Sequence, residues 1–392
     1  MNSILSARSR CLLCAALGVA LALTWQWLTV QYNFGGNWTG LFYTGETWPP
    51  PPGLEGERVK VFPDTTGYDG QFYHYAAHDP LLRRGFDAQA DNPRVRWRRI
   101  LIPAGAYLLA LGQEPWIDAS YFFIELAFLF VGIYWLAVFC QRHGIPAAWG
   151  LAFLLVPAAM ISLERMTIDI ALAALAVGFA LYAETEKPKQ LYAVLALAPL
   201  SRETGLLLIA GYVLSLLPGR AWKRALLFST AALPWLAWAA YVHLHTPEQP
   251  TFWLSATPLL GLWVGTQAAV ARPAESSGQM FALVVHGLAM AGMWLSLGTT
   301  GLLVWDRRRK PGPVECSAAL FALLAVFLAN PEVWADSYAY GRAMSPLLVW
   351  LAMAGIASRQ IWMAAPLAMV IPRVAAQFAT HWPGIWRGMG GG

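Results

Sequence analysis

Apolar stretches of roughly membrane length recur along the chain from residue 11 to residue 377, separated by short polar breaks. They predict an all-α, polytopic membrane protein. The first run, "CLLCAALGVALALTWQWLTV", follows Arg8 and Arg10 and has no small-residue cleavage site before its polar exit. It therefore reads as an uncleaved helix rather than a secretory leader. Lys and Arg beside short loops favour the cytoplasm, so span 1 (11 to about 31) is expected to run outward and the segment 34 to 114 to lie outside. Further spans are expected at 115–139, 146–162, 168–183, 223–242, 280–304, 315–330, 343–357 and 361–377.

The run 191–217, "LYAVLALAPLSRETGLLLIAGYVLSLL", has Lys187 and Lys189 before it and Arg220, Lys223 and Arg224 after it. Basic groups at both ends predict two short spans that turn at "SRETG". The total is eleven crossings, N-terminus inside and tail outside. "ILIPAGAYLLALG" (100–112) is expected to be a helix entering the outer leaflet, "WPPPPGLEGE" an irregular loop, and "RGMGGG" a frayed end.

Composition sharpens this picture. Of 392 residues, 57% are hydrophobic and 12% charged, about half the charged share of a soluble domain. The net charge of +5 resides mostly in short basic loops that orient the chain, so no nucleic-acid partner is expected. Cys11 and Cys14 have the C-x-x-C interval but no second pair and no histidine beside them, which fits packed or lipid-facing residues. No phosphate loop, dinucleotide-binding glycine motif, H-E-x-x-H or G-x-S-x-G is present.

The predicted topology gathers the ionisable groups on the outer side: Asp64, Asp69, Asp79, Arg94, Arg96, Arg98 and Arg99; then Glu164, Arg165 and Asp169; then Arg202 and Glu203; then Glu332, Asp336 and Arg342. Such groups at the edges of apolar spans are costly unless they face each other or a polar cavity. A structural ion-pair network is one reading. The other is a site where arginines hold a phosphate and a carboxylate takes a proton from an acceptor hydroxyl.

One membrane helix, a long outer loop with an early aspartate, and the stretches "GYDGQFYHYAAHDP", "NPRVRWRRILIPAGAYLLALG", "SLERMTIDIALAAL" and "LSRETGLLL" resemble the polyprenyl-phosphate-sugar-dependent glycosyltransferases of the GT-C fold, specifically a bacterial group distantly similar to the GPI and phosphatidylinositol mannosyltransferases. The likeness covers residues 10 to 220 and is diffuse beyond, which suggests a core module (1–220) and a variable C-terminal module (221–392). It implies an inverting transfer from a polyprenyl-phosphate-linked sugar to a glycolipid, polysaccharide or protein acceptor at the periplasmic face of a bacterial inner membrane, among membrane lipids and without a cofactor.

By the same resemblance Asp69 is the general base, with Asp64 its nearest rival and Glu164 a second acidic position. Asp69 also suits a structural cap on a helix starting at Gly70. Arg202, Arg342, Arg99 and Arg165 are the candidate phosphate ligands, and Glu203, Tyr68, Gln71, His74 and Tyr340 the candidate substrate contacts. Arg94, Arg96 and Arg98 are either phosphate contacts or interfacial anchors. His74 and His78, four apart on a short helix, imitate a metal site with Asp69 or Asp79, but a metal is not favoured. A transporter of a lipid-linked saccharide is the rival class.

Overall fold

The computed structural model describes residues 6–248, 253–271, 276–306, 308 and 311–390. The expected basic loop at 306–312, the loop 244–278 and the last two glycines fall partly or wholly outside these residues.

The chain is helical throughout. A long helix α1 (Ala7–Asn33) leads into a segment of short elements whose only strands among the described residues are a parallel pair, β1 (Thr44–Gly45) and β2 (Val61–Phe62). This segment continues through α2 (Asp69–His78), α3 (Pro93–Arg98) and α4 (Leu101–Leu109). Then come α5 (Glu114–Arg142), a 3-10 stretch Ala147–Leu155 bent by 60° into α6 (Pro157–Arg165), α7 (Asp169–Glu184), α8 (Pro188–Ser201) and α9 (Leu206–Leu216).

The remaining helices are α10 (Trp222–Ser229), α11 (Leu233–His245), α12 (Leu260–Ala271), α13 (Ser277–Asp306), α14 (Pro313–Phe327), α15 (Pro331–Ala335), α16 (Ser337–Ser358), α17 (Ala365–Phe378) and α18 (Trp382–Gly388). The glycine-rich end is thus helical through Gly388, and α18 packs back on α1, where Gly384 meets Asn33 and Gly388 meets Tyr32.

Six helices among the described residues are long and apolar enough to cross a membrane, and the bent pair 147–165 is a seventh if it forms one crossing. The other four expected spans are shorter: α7, α8, α9 and α14 have 16, 14, 11 and 15 residues. Helix α7 is the axis of the bundle, with thirteen of its sixteen residues buried. Its sequence "DIALAALAVGFALYAE" explains this, because small side chains let neighbouring backbones approach closely where lipid supplies no hydrophobic drive. Trp350 of α16 donates to the Ala176 carbonyl at 2.9 Å. The main core joins residues from Ala15 to Met353 and so draws on both sides of position 220.

Helices α8 and α9 double back, since Tyr192 near the start of one and Tyr212 near the end of the other both pack on Phe228. The reversal needs Gly205, where a Cβ would overlap the backbone of Ala198.

Candidate functional site

The ends of several helices meet at one pole of the bundle. Tyr68 precedes α2 in extended conformation without a side-chain capping bond, so Asp69 is the first helical residue and not the cap. A carboxylate there also benefits from the helix N-terminal dipole. Gly70 lets this turn sit directly on the end of α6, because a Cβ would overlap the Arg165 carbonyl oxygen.

Asp69 is bridged by two arginines. Its Oδ1 is 2.8 Å from Arg96 Nη2, and its Oδ2 accepts from Arg342 Nη2. Arg96 also forks onto Asp91 at 2.8 and 2.6 Å. Arg342 Nη1 reaches Asp169 Oδ2 at 3.4 Å, and Asp169 Oδ1 accepts from Arg202. The result is a chain of alternating charge: Asp91, Arg96, Asp69, Arg342, Asp169, Arg202. Beside it Arg99 donates Nε to Glu203 at 2.9 Å and Nη1 to the Tyr73 hydroxyl at 3.2 Å.

Asp91, Arg96, Asp69, Arg342 and Arg202 of this chain line a cavity of about 490 Å³, completed by Tyr68, Trp253, Asn330, Glu332 and Asp336 among others, while Asp169 ties two of the arginines together without lining it. The volume falls in the range of small-molecule sites. The Tyr68 hydroxyl donates to Asp336 at 3.1 Å, and its ring lies under Arg342, 5.1 Å from the guanidinium carbon. Arg202 and Arg342 are 8% and 7% exposed, yet the Nε of each has no hydrogen-bond partner. Buried donors of this kind carry a desolvation cost that an incoming anion would relieve.

Two of the carboxyls facing the cavity, Asp69 and Asp336, differ. Burial pushes Asp69 up, but Arg342 and Arg96 more than offset it and hold it far below the usual carboxylate range. Burial dominates at Asp336 and raises it, with Arg342 opposing.

Of the residues singled out from sequence, Asp69, Tyr68, Arg99, Arg202 and Arg342 line this cavity together. The others lie elsewhere. Asp64 is exposed in a left-handed turn (φ 53°), its backbone N–H donating to Glu46. Glu164 is buried, bonded by the Tyr338 hydroxyl and lying 3.2 Å from His381 and 3.4 Å from Arg165. Arg165 stacks over Tyr43, 3.6 Å from the ring centre. Gln71 braces the loop, accepting from Gly45 N–H at 3.0 Å and donating to the Thr66 carbonyl at 2.9 Å. Tyr340 stacks on Trp334. Glu203 is half-exposed beside the cavity and tied to Arg99.

Asp91 and Asp336 complete the wall without having been singled out as site residues, and Arg96, left open between phosphate contact and interfacial anchor, joins them. A signal existed for Arg96: with Asn92 as N-cap, Arg96 and Arg99 fall three apart and so share one side of the turn, away from Arg94 and Arg98.

His74 belongs to a second cluster. It is fully buried, stacked on Phe42 at 4.1 Å and 7°, and grouped with Glu57, His78 and Asp118. Burial pulls this imidazole down, but Asp118 and Glu57 more than offset it, holding it at about 9. The carboxylates expected to accompany the histidines are otherwise engaged. Asp69 is held by arginines, and Asp79 accepts the backbone N–H groups of Arg83 and Arg84 at 2.8 and 2.9 Å.

Comparison with protein-family models, curated proteins and solved structures finds no match for this chain.

Proposed function

We propose that this chain is a GT-C-like inverting glycosyltransferase that moves a sugar from a polyprenyl-phosphate donor to an acceptor hydroxyl of a glycolipid, polysaccharide or protein. The observation that carries the reading is Asp69 bridged between Arg96 and Arg342 in the wall of a polar cavity, among helices of membrane length. Arg142, His143, Lys187 and Lys189 occupy the opposite ends of the helices that converge on the cavity. Basic residues favour the cytoplasm, so this reading opens the cavity to the periplasmic face of a bacterial inner membrane.

In the free protein Asp69 is a weak base, because both its oxygens serve guanidinium groups. The donor phosphate competes for those same groups. Arg342 and Arg202 line the cavity that would receive it, and as Arg342 turns toward phosphate the carboxylate regains basicity. Asp69 then accepts the proton of the acceptor hydroxyl while the hydroxyl oxygen attacks the anomeric carbon. The bond from that carbon to the phosphate oxygen breaks, and polyprenyl phosphate leaves with the electron pair. Arginines stabilise its added charge, and a single displacement inverts the anomeric configuration.

The test uses purified wild type, Asp69→Asn and Asp336→Asn with a panel of polyprenyl-phosphate sugars, following release of free polyprenyl phosphate. Turnover by wild type, lost in D69N with donor binding kept, is the expected result. Equal turnover in D69N would remove Asp69 from the chemical step and leave Asp336, the stronger base of the free protein, to be judged by D336N. Tight donor binding without turnover under any acceptor mixture would favour a transporter of the same ligand.

A further inference from the structure

Outside the cavity, α2 presents a second constellation on its other side. His74 and His78, one turn apart, share a helix face. Glu57 approaches them from the loop before α2, and Asp118 from the first turns of α5. One donor atom from each of the four residues lies within 4.8 Å of all the others. His74 Nε2 is 2.8 Å from Asp118 Oδ1 and 3.4 Å from Glu57 Oε2, and His78 Nε2 is 3.3 Å from the same Asp118 oxygen. Zinc bonds of about 2.0–2.2 Å to nitrogen and oxygen place neighbouring tetrahedral ligands about 3.3–3.6 Å apart; two of these three separations match and the third is shorter.

Two further features point to a ligand and away from a plain ion-pair cluster. Neither ring nitrogen of His74 makes an aligned hydrogen bond although the residue is fully buried, and Glu57 Oε2 is likewise unbonded. Within the group His78 Nε2 is hydrogen-bonded to Asp118 Oδ1 at 3.3 Å, which leaves the buried His74 nitrogens and Glu57 Oε2 without an aligned partner. Moreover, His78 Nδ1 is taken by Glu114 Oε2 at 2.6 Å, and Glu114 is itself held by Arg84. A carboxylate on the far nitrogen is the usual way a ligating histidine is oriented.

The geometry points to a structural site for one first-row divalent cation, zinc by its mix of imidazole and carboxylate donors, bound by Glu57, His74, His78 Nε2 and Asp118 with Glu114 as orienting group. Four protein ligands close the coordination sphere, so this is a clamp and not a second reaction centre. It fastens the loop before α2 and the start of α5 to the helix whose first residue is Asp69. It does not depend on the glycosyltransferase reading.

The test takes the full chain in detergent, strips it with a chelator, adds zinc chloride, desalts it, and measures metal content and melting temperature. One zinc per chain and a raised melting temperature are expected, and cobalt(II) in its place should give the intense visible bands of tetrahedral coordination. Glu114→Gln, conservative and at the protein surface, should keep a normal gel-filtration profile and weaken zinc binding roughly 10–100-fold; Glu57→Gln should weaken it at least as much. Zinc content no higher than in a His74→Gln/His78→Gln double variant, an octahedral cobalt spectrum, or unchanged affinity in both glutamine variants would each overturn the site.

Discussion

Replacing Asp69 with asparagine separates two roles that a simple loss of activity would confuse. The side chain keeps its size and loses its charge, leaving Arg96 and Arg342 without their shared counter-ion. Removing one partner from a buried ion pair costs about 3–5 kcal/mol. Here the lower end, about 3 kcal/mol, is expected, because Arg96 keeps its fork on Asp91 and Arg342 keeps Asp169. The melting temperature should fall. Affinity for polyprenyl monophosphate should move the other way. In wild type the lipid phosphate must draw the guanidiniums from Asp69, whereas in D69N that competitor is gone and only Asp91 and Asp169 remain on them. One charge-assisted hydrogen bond is worth about 1.5–3 kcal/mol, so D69N should bind about 10–100-fold more tightly. Calorimetric titration of the detergent-solubilised protein reads the affinity. Equal or weaker binding by D69N would refute the competition argument, since it would mean that Asp69 holds the arginines in a shape the ligand needs. Arg342→Gln should weaken binding in either background.

Four other outcomes follow from the same geometry. Asp69 has its folded-state pKa depressed, burial being outweighed by Arg342 and Arg96; its contribution is present above about pH 4, the unfolded carboxylate range, and is lost as pH falls below it, so the stability gap between wild type and D69N should shrink on acidification in chemical unfolding. Gly70→Ala drives a methyl into the Arg165 carbonyl and should lower stability by about 1–3 kcal/mol, seen as an earlier thermal transition. Tyr338→Phe leaves buried Glu164 with only His381 and Arg165, a loss of about 1–3 kcal/mol measurable by the same melt. Glu125, fully buried in α5 with both oxygens unbonded, is a liability in the span, so Glu125→Gln should be neutral or stabilising; a clear drop in melting temperature would show that its charge has an unseen partner.

The helices and the polar breaks between them were legible because period and apolar run length are local properties. Asp69 and Arg202 stood out for the same reason, as charges bracketed by apolar sequence. The pairing was not legible. Arg202 and Glu203 look like partners in "SRETG", yet Arg202 takes Asp169 and Glu203 takes Arg99. Arg202 closes α8 with extended backbone (φ −160°, ψ 141°), and neighbouring side chains in extended conformation point to opposite sides. The histidine pair shows the same limit. Its four-residue spacing was readable, but its carboxylates come from Glu57 and Asp118, which lie in a proline-rich loop and in an apolar span where neither residue signals its destination.

The short helices explain why so many charges can gather in an apolar protein. A helix facing lipid must run the full hydrocarbon thickness, because backbone and charge cannot end inside it. Helix α7, with thirteen of its sixteen residues buried, is free of that demand and stops short, and α8 packs along it with its buried face. Asp169 begins one and Arg202 closes the other, so the two groups meet inside protein and not in lipid. Each terminus brings unpaired backbone groups that need polar company, and Asp169 at a helix N-terminus answers the dipole as well as Arg202 and Arg342. The position of Arg202 in the cavity wall is therefore set by where α8 stops, and its partner Asp169 by where α7 starts, as much as by side-chain choice.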